Sequence, residues 1–187
     1  VGTMTFTAAG EYNLTGIMFK TNGATAISST GSSSIRVNFN SCGVWAFDAV
    51  GMTCTNSNTN FSYYNSFFCN ATTNAFFAGT NGSCVFNWTK FTGSSTTATS
   101  TVGEGTYQFN NCNTSGLQVT TASTGKITAF NSRFTYGDTN ILTMAGTGTS
   151  EIHNCSIESG TASACSIGAG CTLNITNTRI SSSNAAV

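Results

Sequence analysis

The sequence predicts an all-β chain wound as a single-stranded parallel β-helix, a solenoid of about eight rungs of ~23 residues. Three observations carry this expectation. A short Asn-centred motif recurs at a nearly fixed interval. The residues before it alternate between apolar and polar side chains. The composition is that of strands joined by turns, since Ser, Thr, Asn and Gly make up roughly half the chain and Pro is absent.

The motif is clearest late in the chain, where AFNSRFT from Ala129, IHNCSIE from Ile152 and ITNTRIS from Ile175 align. Each reads apolar, any, Asn, small, any, apolar. The anchors Asn131, Asn154 and Asn177 lie 23 residues apart. The same frame runs back through Asn111, Trp88, Asn65 and Ser41, at spacings of 20, 23, 23 and 24. A degraded copy passes through Tyr12, Leu14 and Gly16. Residues 1–187 thus read as one β-helical domain, with 1–34 an irregular first rung or cap and 35–187 the regular rungs.

Within each unit the strands follow in order. Four places before the anchor stand Val37, Phe61, Cys84, Tyr107, Ile127, Ser150 and Leu173; two places before it stand Phe39, Tyr63, Phe86, Phe109, Ala129, Ile152 and Ile175. The intervening positions are mostly polar, so period two places a first strand here. Three places after the anchor, Val44, Phe68, Phe91, Thr114, Phe134, Ile157 and Ile180 begin a second strand. A third follows about 11 and 13 places after it, as in Met52/Cys54, Leu142/Met144 and Cys165/Ile167. Such short strands bury no face alone, but stacked on their equivalents they do. Eight rungs at the strand spacing make a rod of ~40 Å.

Composition excludes several function classes. Six Lys/Arg balance six Asp/Glu, and charged residues are 6% of the chain, against about 25% in an average soluble domain. No basic footprint for nucleic acid exists. No apolar run approaches the ~18–20 residues that cross a bilayer.

The turn signatures NSRF, NCSI and NTRI resemble those of the right-handed, pectate-lyase-like parallel β-helix superfamily. The low charge and the abundance of Ser, Thr, Asn and Gly are most similar to β-helical segments of bacteriophage tail fibres and tailspikes. This resemblance implies a right-handed coil, an interior Asn ladder at the sharp turn with Asn154 facing inward, and a homotrimer acting with other virion tail proteins. It implies a structural, receptor-contacting shaft of a virion adhesion device, without catalysis in this segment. A polysaccharide depolymerase (lyase or hydrolase) and a bacterial surface adhesin or secreted repeat protein are the alternatives, since the superfamily spans all three. Val1 is not an initiator Met and SSSNAAV runs into a third strand, which reads as a segment of a longer chain.

The eight Cys do not read as a disulfide framework. The position after the anchor holds Cys42, Ser66, Thr89, Cys112, Ser132, Cys155 and Thr178, so Cys alternates with Ser and Thr as a small corner residue. Cys54, Cys84 and Cys165 fall in core strands. Reduced thiols fit folding in a bacterial cytoplasm before virion assembly; Cys165 with Cys171 is the pair closest to an exception. A single His and no C-x-x-C leave no Cys/His metal site, and no cofactor is expected. The frequent Asn-x-Ser/Thr sequons, as at Asn70, Asn81 and Asn87, follow from composition.

Three sets of side chains are candidate sites. The carboxylates are Glu11, Asp48, Glu104, Asp138, Glu151 and Glu158. Glu151, His153 and Glu158 share a rung, the first two pointing outward, but neighbouring rungs carry no second acid in their column, so they are weak catalytic candidates. Two places after the anchor, Lys90, Arg133 and Arg179 share one outward column, with Glu158 diagonal to the two Arg. This is either a surface ion-pair cluster or a stripe for an acidic sugar, whose carboxylates suit the planar Arg fork. Trp45, Tyr64, Phe67, Phe130 and Tyr136 face outward and suggest a contact surface. A subunit interface in a trimer is favoured over a glycan platform, because Phe is a poor lone platform for a sugar. The outward column Asn38, Ser62, Val85, Gln108, Thr128, Glu151, Asn174 is too irregular to bind ice.

Overall fold

A computed structural model describes residues 2–47, 49–70, 75–79, 81–93, 99–135, 140–160 and 163–182. Its strands lie in three eight-stranded sheets and make an all-β parallel solenoid of about seven turns. Each rung contributes one strand to each sheet. Ile35–Asn40 lies in sheet 2, Gly43–Phe47 in sheet 3 and Met52–Cys54 in sheet 1. These are the three strands expected of every unit, in the expected order.

The register is that of the sequence columns. Val37 pairs with Phe61, Phe61 with Cys84, Cys84 with Tyr107 and Tyr107 with Ile127. The degraded first copy also stands in register, with Tyr12 opposite Val37 and Leu14 opposite Phe39. The uneven spacing of the units is absorbed on either side of sheet 1, and the connection from sheet 1 to sheet 2 runs from residues 103–105 in one rung to residues 30–34 in another. Two residues always separate the sheet 2 strand from the sheet 3 strand, from Ser41–Cys42 to Asn177–Thr178. The arc from sheet 3 to sheet 1 varies from residues 116–118 in one rung to residues 93–99 in another.

The core is a file of rings. Phe39 stacks on Tyr63 at 4.3 Å and 4°, Tyr63 on Phe86 at 5.4 Å and 16°, and Phe86 on Phe109 at 5.1 Å and 21°. In-register pairing puts the same column of each rung directly over the last, so planar side chains meet face to face at the strand spacing. Phe68 and Phe91 form a second stack at 5.0 Å on the inner face of sheet 3. Past Phe109 the column narrows to Ala129, and Phe134 fills the space with its edge toward Phe109. The buried Tyr63 hydroxyl finds the Met52 sulfur at 3.2 Å.

The anchor column corrects one expectation. Asn65, Asn111, Asn131, Asn154 and Asn177 are exposed, not interior. All adopt positive φ, between 47° and 53°. Ser41 and Trp88 share this conformation, and Gly16 takes it in the first rung with φ 68°. Asn recurs because it tolerates the left-handed region at the corner, not because its amide packs inside. At the corner from sheet 1 to sheet 2 a Gly column does a different job. A Cβ at Gly105 would overlap the Gly82 carbonyl oxygen, and one at Gly148 would overlap that of Gly125, so the rungs close up only without a side chain there.

Phe86 sits between two stacked rings and touches both inner stacks. Phe86→Ala is expected to lower stability by about 3–5 kcal/mol, read from the midpoint of a denaturant melt. A loss below about 1 kcal/mol would show that the file of rings does not carry the core.

Candidate functional site

The corner between sheets 2 and 3 positions most of the candidate side chains. Its backbone bonds change direction across two residues. The anchor N–H donates to the rung that follows, as Asn131 does to the His153 carbonyl at 3.1 Å. Two residues later the N–H donates to the rung before, as Arg133 does to the Cys112 carbonyl at 2.9 Å. The N–H between them has no carbonyl to meet.

The small corner residue of the next rung supplies the missing acceptor. The Cys42 N–H donates to Ser66 Oγ at 3.1 Å, Cys112 N–H to Ser132 Oγ at 3.0 Å, Ser132 N–H to Cys155 Sγ at 3.4 Å, and Cys155 N–H to Thr178 Oγ1 at 3.2 Å. Each acceptor also donates to the carbonyl two residues before it. Ser132 Oγ reaches Phe130, Cys155 Sγ reaches His153 and Thr178 Oγ1 reaches Thr176. Cys, Ser and Thr interchange here because each carries a γ atom that both accepts and donates.

This corner divides the candidates into two lines. Tyr64, Phe130 and His153 stand immediately before the turn, while Lys90, Arg133 and Arg179 stand immediately after it on sheet 3. The carboxylates divide likewise. Glu151 Oε2 lies 3.8 Å from His153 Nε2 on sheet 2. Glu158 lies on sheet 3, where Oε2 accepts from Arg133 Nη2 at 2.9 Å and Oε1 from the Ser156 hydroxyl at 2.9 Å. The Arg133 guanidinium, with help from Ser156, holds the Glu158 carboxyl below the usual carboxylate range. A general acid needs the opposite shift, so Glu158 is suited to an ion pair and not to proton donation near neutrality. Asp48 and Asp138 lie outside the described residues. Among the described residues no group of three or more His, Cys, Asp or Glu could hold a metal ion.

In the basic column, Arg133 and Arg179 flank Ser156 in register, with Glu158 diagonal to both. An open hollow beside them is lined by Arg133, Thr135, Glu158, Ser159 and Gly160. Lys90 is exposed and stands between Phe67 and Asn113.

The outward aromatics differ in their settings. Trp45 is half-buried, with the Lys20 ammonium 5.1 Å from its ring centroid. Phe67 lies over Gly43, where a Cβ would collide with its ring. Phe130 is half-buried and stacks on His153 at 5.1 Å and 14°. Tyr64 is exposed and meets Trp88 at 5.0 Å and 59°. Tyr136 lies outside the described residues. Trp88 lies outside the three candidate sets, and its signal in the sequence is that it is the one aromatic in a column otherwise made of Asn and Ser.

All eight Cys are free thiols. Cys165 and Cys171 are not joined; the Cys171 thiol turns to the Gly146 carbonyl. Burial pushes the Cys54, Cys112 and Cys165 thiols up to about 11. The chain is a parallel β-solenoid repeat protein by architecture. Compared with known protein families, with curated proteins and with solved structures, it matches none.

Two outcomes follow from the corner and its thiols. Ser132→Ala leaves the Cys112 N–H without an acceptor inside the corner and should cost about 1–3 kcal/mol, whereas Ser132→Cys should cost about 1 kcal/mol or less; equal losses in thermal melts would refute the γ-atom ladder. In the unfolded chain the same thiols ionise near their ordinary value of 9.0, two units below their folded value of about 11. The unfolded state therefore sheds protons first. Stability should be flat with respect to these groups below about pH 9 and fall between about pH 9 and 11, as urea midpoints would show. Blocking with a neutral thiol reagent should be slow in the native protein and complete on unfolding.

Proposed function

We propose that this chain is a non-catalytic β-helical shaft that presents a contact surface to cell-envelope glycans, as part of a virion adhesion device of the phage tail fibre or tailspike kind. The observation that carries the reading is the unbroken parallel register of three sheets through every rung. Such a ladder resists bending because a kink in any direction must open backbone bonds in the sheet on its outer side. Side chains on its outer faces are thereby held at fixed intervals, which suits a spacer that displays a surface. The turn signatures and low charge add the resemblance to phage fibres, and with it a homotrimer. Buried free thiols agree with assembly in a reducing cytoplasm.

The hydrolase form of the depolymerase reading needs a carboxyl poised to give up a proton, and Glu158 is shifted the other way by Arg133. The test is an array of bacterial envelope polysaccharides, followed by a reducing-end assay on every glycan bound and native mass spectrometry of the protein. Binding without new reducing ends, by three associated chains, is expected. Release of reducing ends or unsaturated products would establish a depolymerase. Binding to no envelope glycan would remove the contact role, and a single chain in the mass spectrum would remove the trimer.

A further inference from the structure

We infer that the corner around Tyr64 and Trp88 is a binding edge for an uncharged glycan, a proposal that rests on the glycan-contacting reading above and names its site. The starting point is an anomaly in the anchor column. Trp88 holds a left-handed backbone with φ 47°, where the other rungs use Asn, Ser or Gly. A bulky side chain is disfavoured in that region, and the core gains nothing from it, since Trp88 is 53% exposed. Strain kept at an exposed position points to contact with something outside the fold.

The surroundings say what that something is. Tyr64 is 49% exposed and its ring lies 5.0 Å from that of Trp88, tilted by 59°. The two rings pack against each other and leave apolar surface exposed at the corner. Amides already bonded to one another lead from Asn87 to Asn110 in the next rung and to Gln108 two residues earlier on that strand. Gln108 Nε2 donates to Asn110 Oδ1 at 3.1 Å, and Asn110 Nδ2 donates to Asn87 Oδ1 at 2.9 Å. Two rungs past Trp88, the Phe130–His153 stack closes the line. One column thus reads Tyr64, Asn87, Asn110, Phe130, His153, each a strand spacing of about 4.8 Å from the next. Rings that take the C–H face of a pyranose, spaced by fixed amides that meet its hydroxyls, suit a linear neutral oligosaccharide. None of Tyr64, Asn87, Trp88, Gln108 and Asn110 carries charge. Two rings are also far less than the roughly 800 Å² per partner that a stable protein interface needs, and the amide rim is polar. The Phe67 ring, packed over Gly43 beside Met18 on sheet 3, is the better position for a subunit contact.

The deciding variant is Trp88→Asn, because it installs the residue that the column otherwise uses. The full chain would be titrated with cellohexaose, maltohexaose, laminarihexaose and mannohexaose, with hexagalacturonate as the acidic comparator. Calorimetry would be followed alongside Trp fluorescence. The expected result is binding of at least one neutral hexasaccharide that is insensitive to salt. Trp88→Asn should weaken that binding at least ten-fold while the melting temperature stays the same or rises, Tyr64→Ala should weaken it similarly, and Thr101→Ala, on the outer face of sheet 1, should leave it unchanged. Unaltered binding by Trp88→Asn overturns the proposal, as does a change in subunit number, which would make the corner an interface. Binding of hexagalacturonate alone, lost in Arg133→Ala and Arg179→Ala, overturns the edge but leaves the shaft as a glycan contact. Binding of no glycan in this panel or on the envelope array overturns both.

Discussion

Everything in this solenoid hangs on one hydrogen bond, the one from a corner N–H to the γ atom of the next rung. The left-handed anchor turns the peptide that follows it away from the carbonyl ladder, and an N–H left unpaired in the interior is costly. Ser66, Ser132, Cys155 and Thr178 close that gap with an atom that also returns a proton to the carbonyl two residues back. The sheets on either side can therefore keep full register through the bend. The ring files follow from register, since Phe39, Tyr63, Phe86 and Phe109 stack only because their Cα atoms are in line.

The same corner sorts the surface. Side chains just before it project from the edge of sheet 2 and those just after it from sheet 3, so a rung offers two separate lines of chemistry a few residues apart. One line carries rings and amides. The other carries Arg133 and Arg179 with Glu158 diagonal to both. Ion pairing occupies Arg133, and exposed pairs of this kind add little to stability. Among the described residues, the hollow beside Arg133 and Glu158 is open, as expected when each rung only repeats the last.

Much of this was legible in the sequence. The apolar columns gave the three strands of each rung, their register and the buried rings, because period-two alternation reports burial directly. The interchange of Cys, Ser and Thr showed that the corner wanted a small residue. What the columns could not show was direction. Asn at a turn is compatible with an inward amide or with a left-handed backbone, and one-dimensional recurrence does not separate the two; the exposed Asn154 settles it here. The sheet 1 to sheet 2 corner leaves a fainter trace: Gly82, Gly105, Gly125 and Gly148 recur at the rung interval, but in a chain this rich in turn glycines recurrence alone does not report close backbone approach. Trp88 is ambiguous for a related reason: its place in the anchor column reports a turn and says nothing of where its ring lies.

The uneven arc between sheets 3 and 1 has a meaning for how such a chain can change. Three residues suffice in one rung and seven are used in another, yet the strands on both sides hold their partners. Length is therefore a free variable on that side of the coil and a locked one at the two-residue corner. A gene encoding this rod could acquire or shed codons in the arc without resetting the frame of any later rung. A foreign peptide spliced there would be carried at a chosen height along the rod, with neighbouring heights separated by one strand spacing.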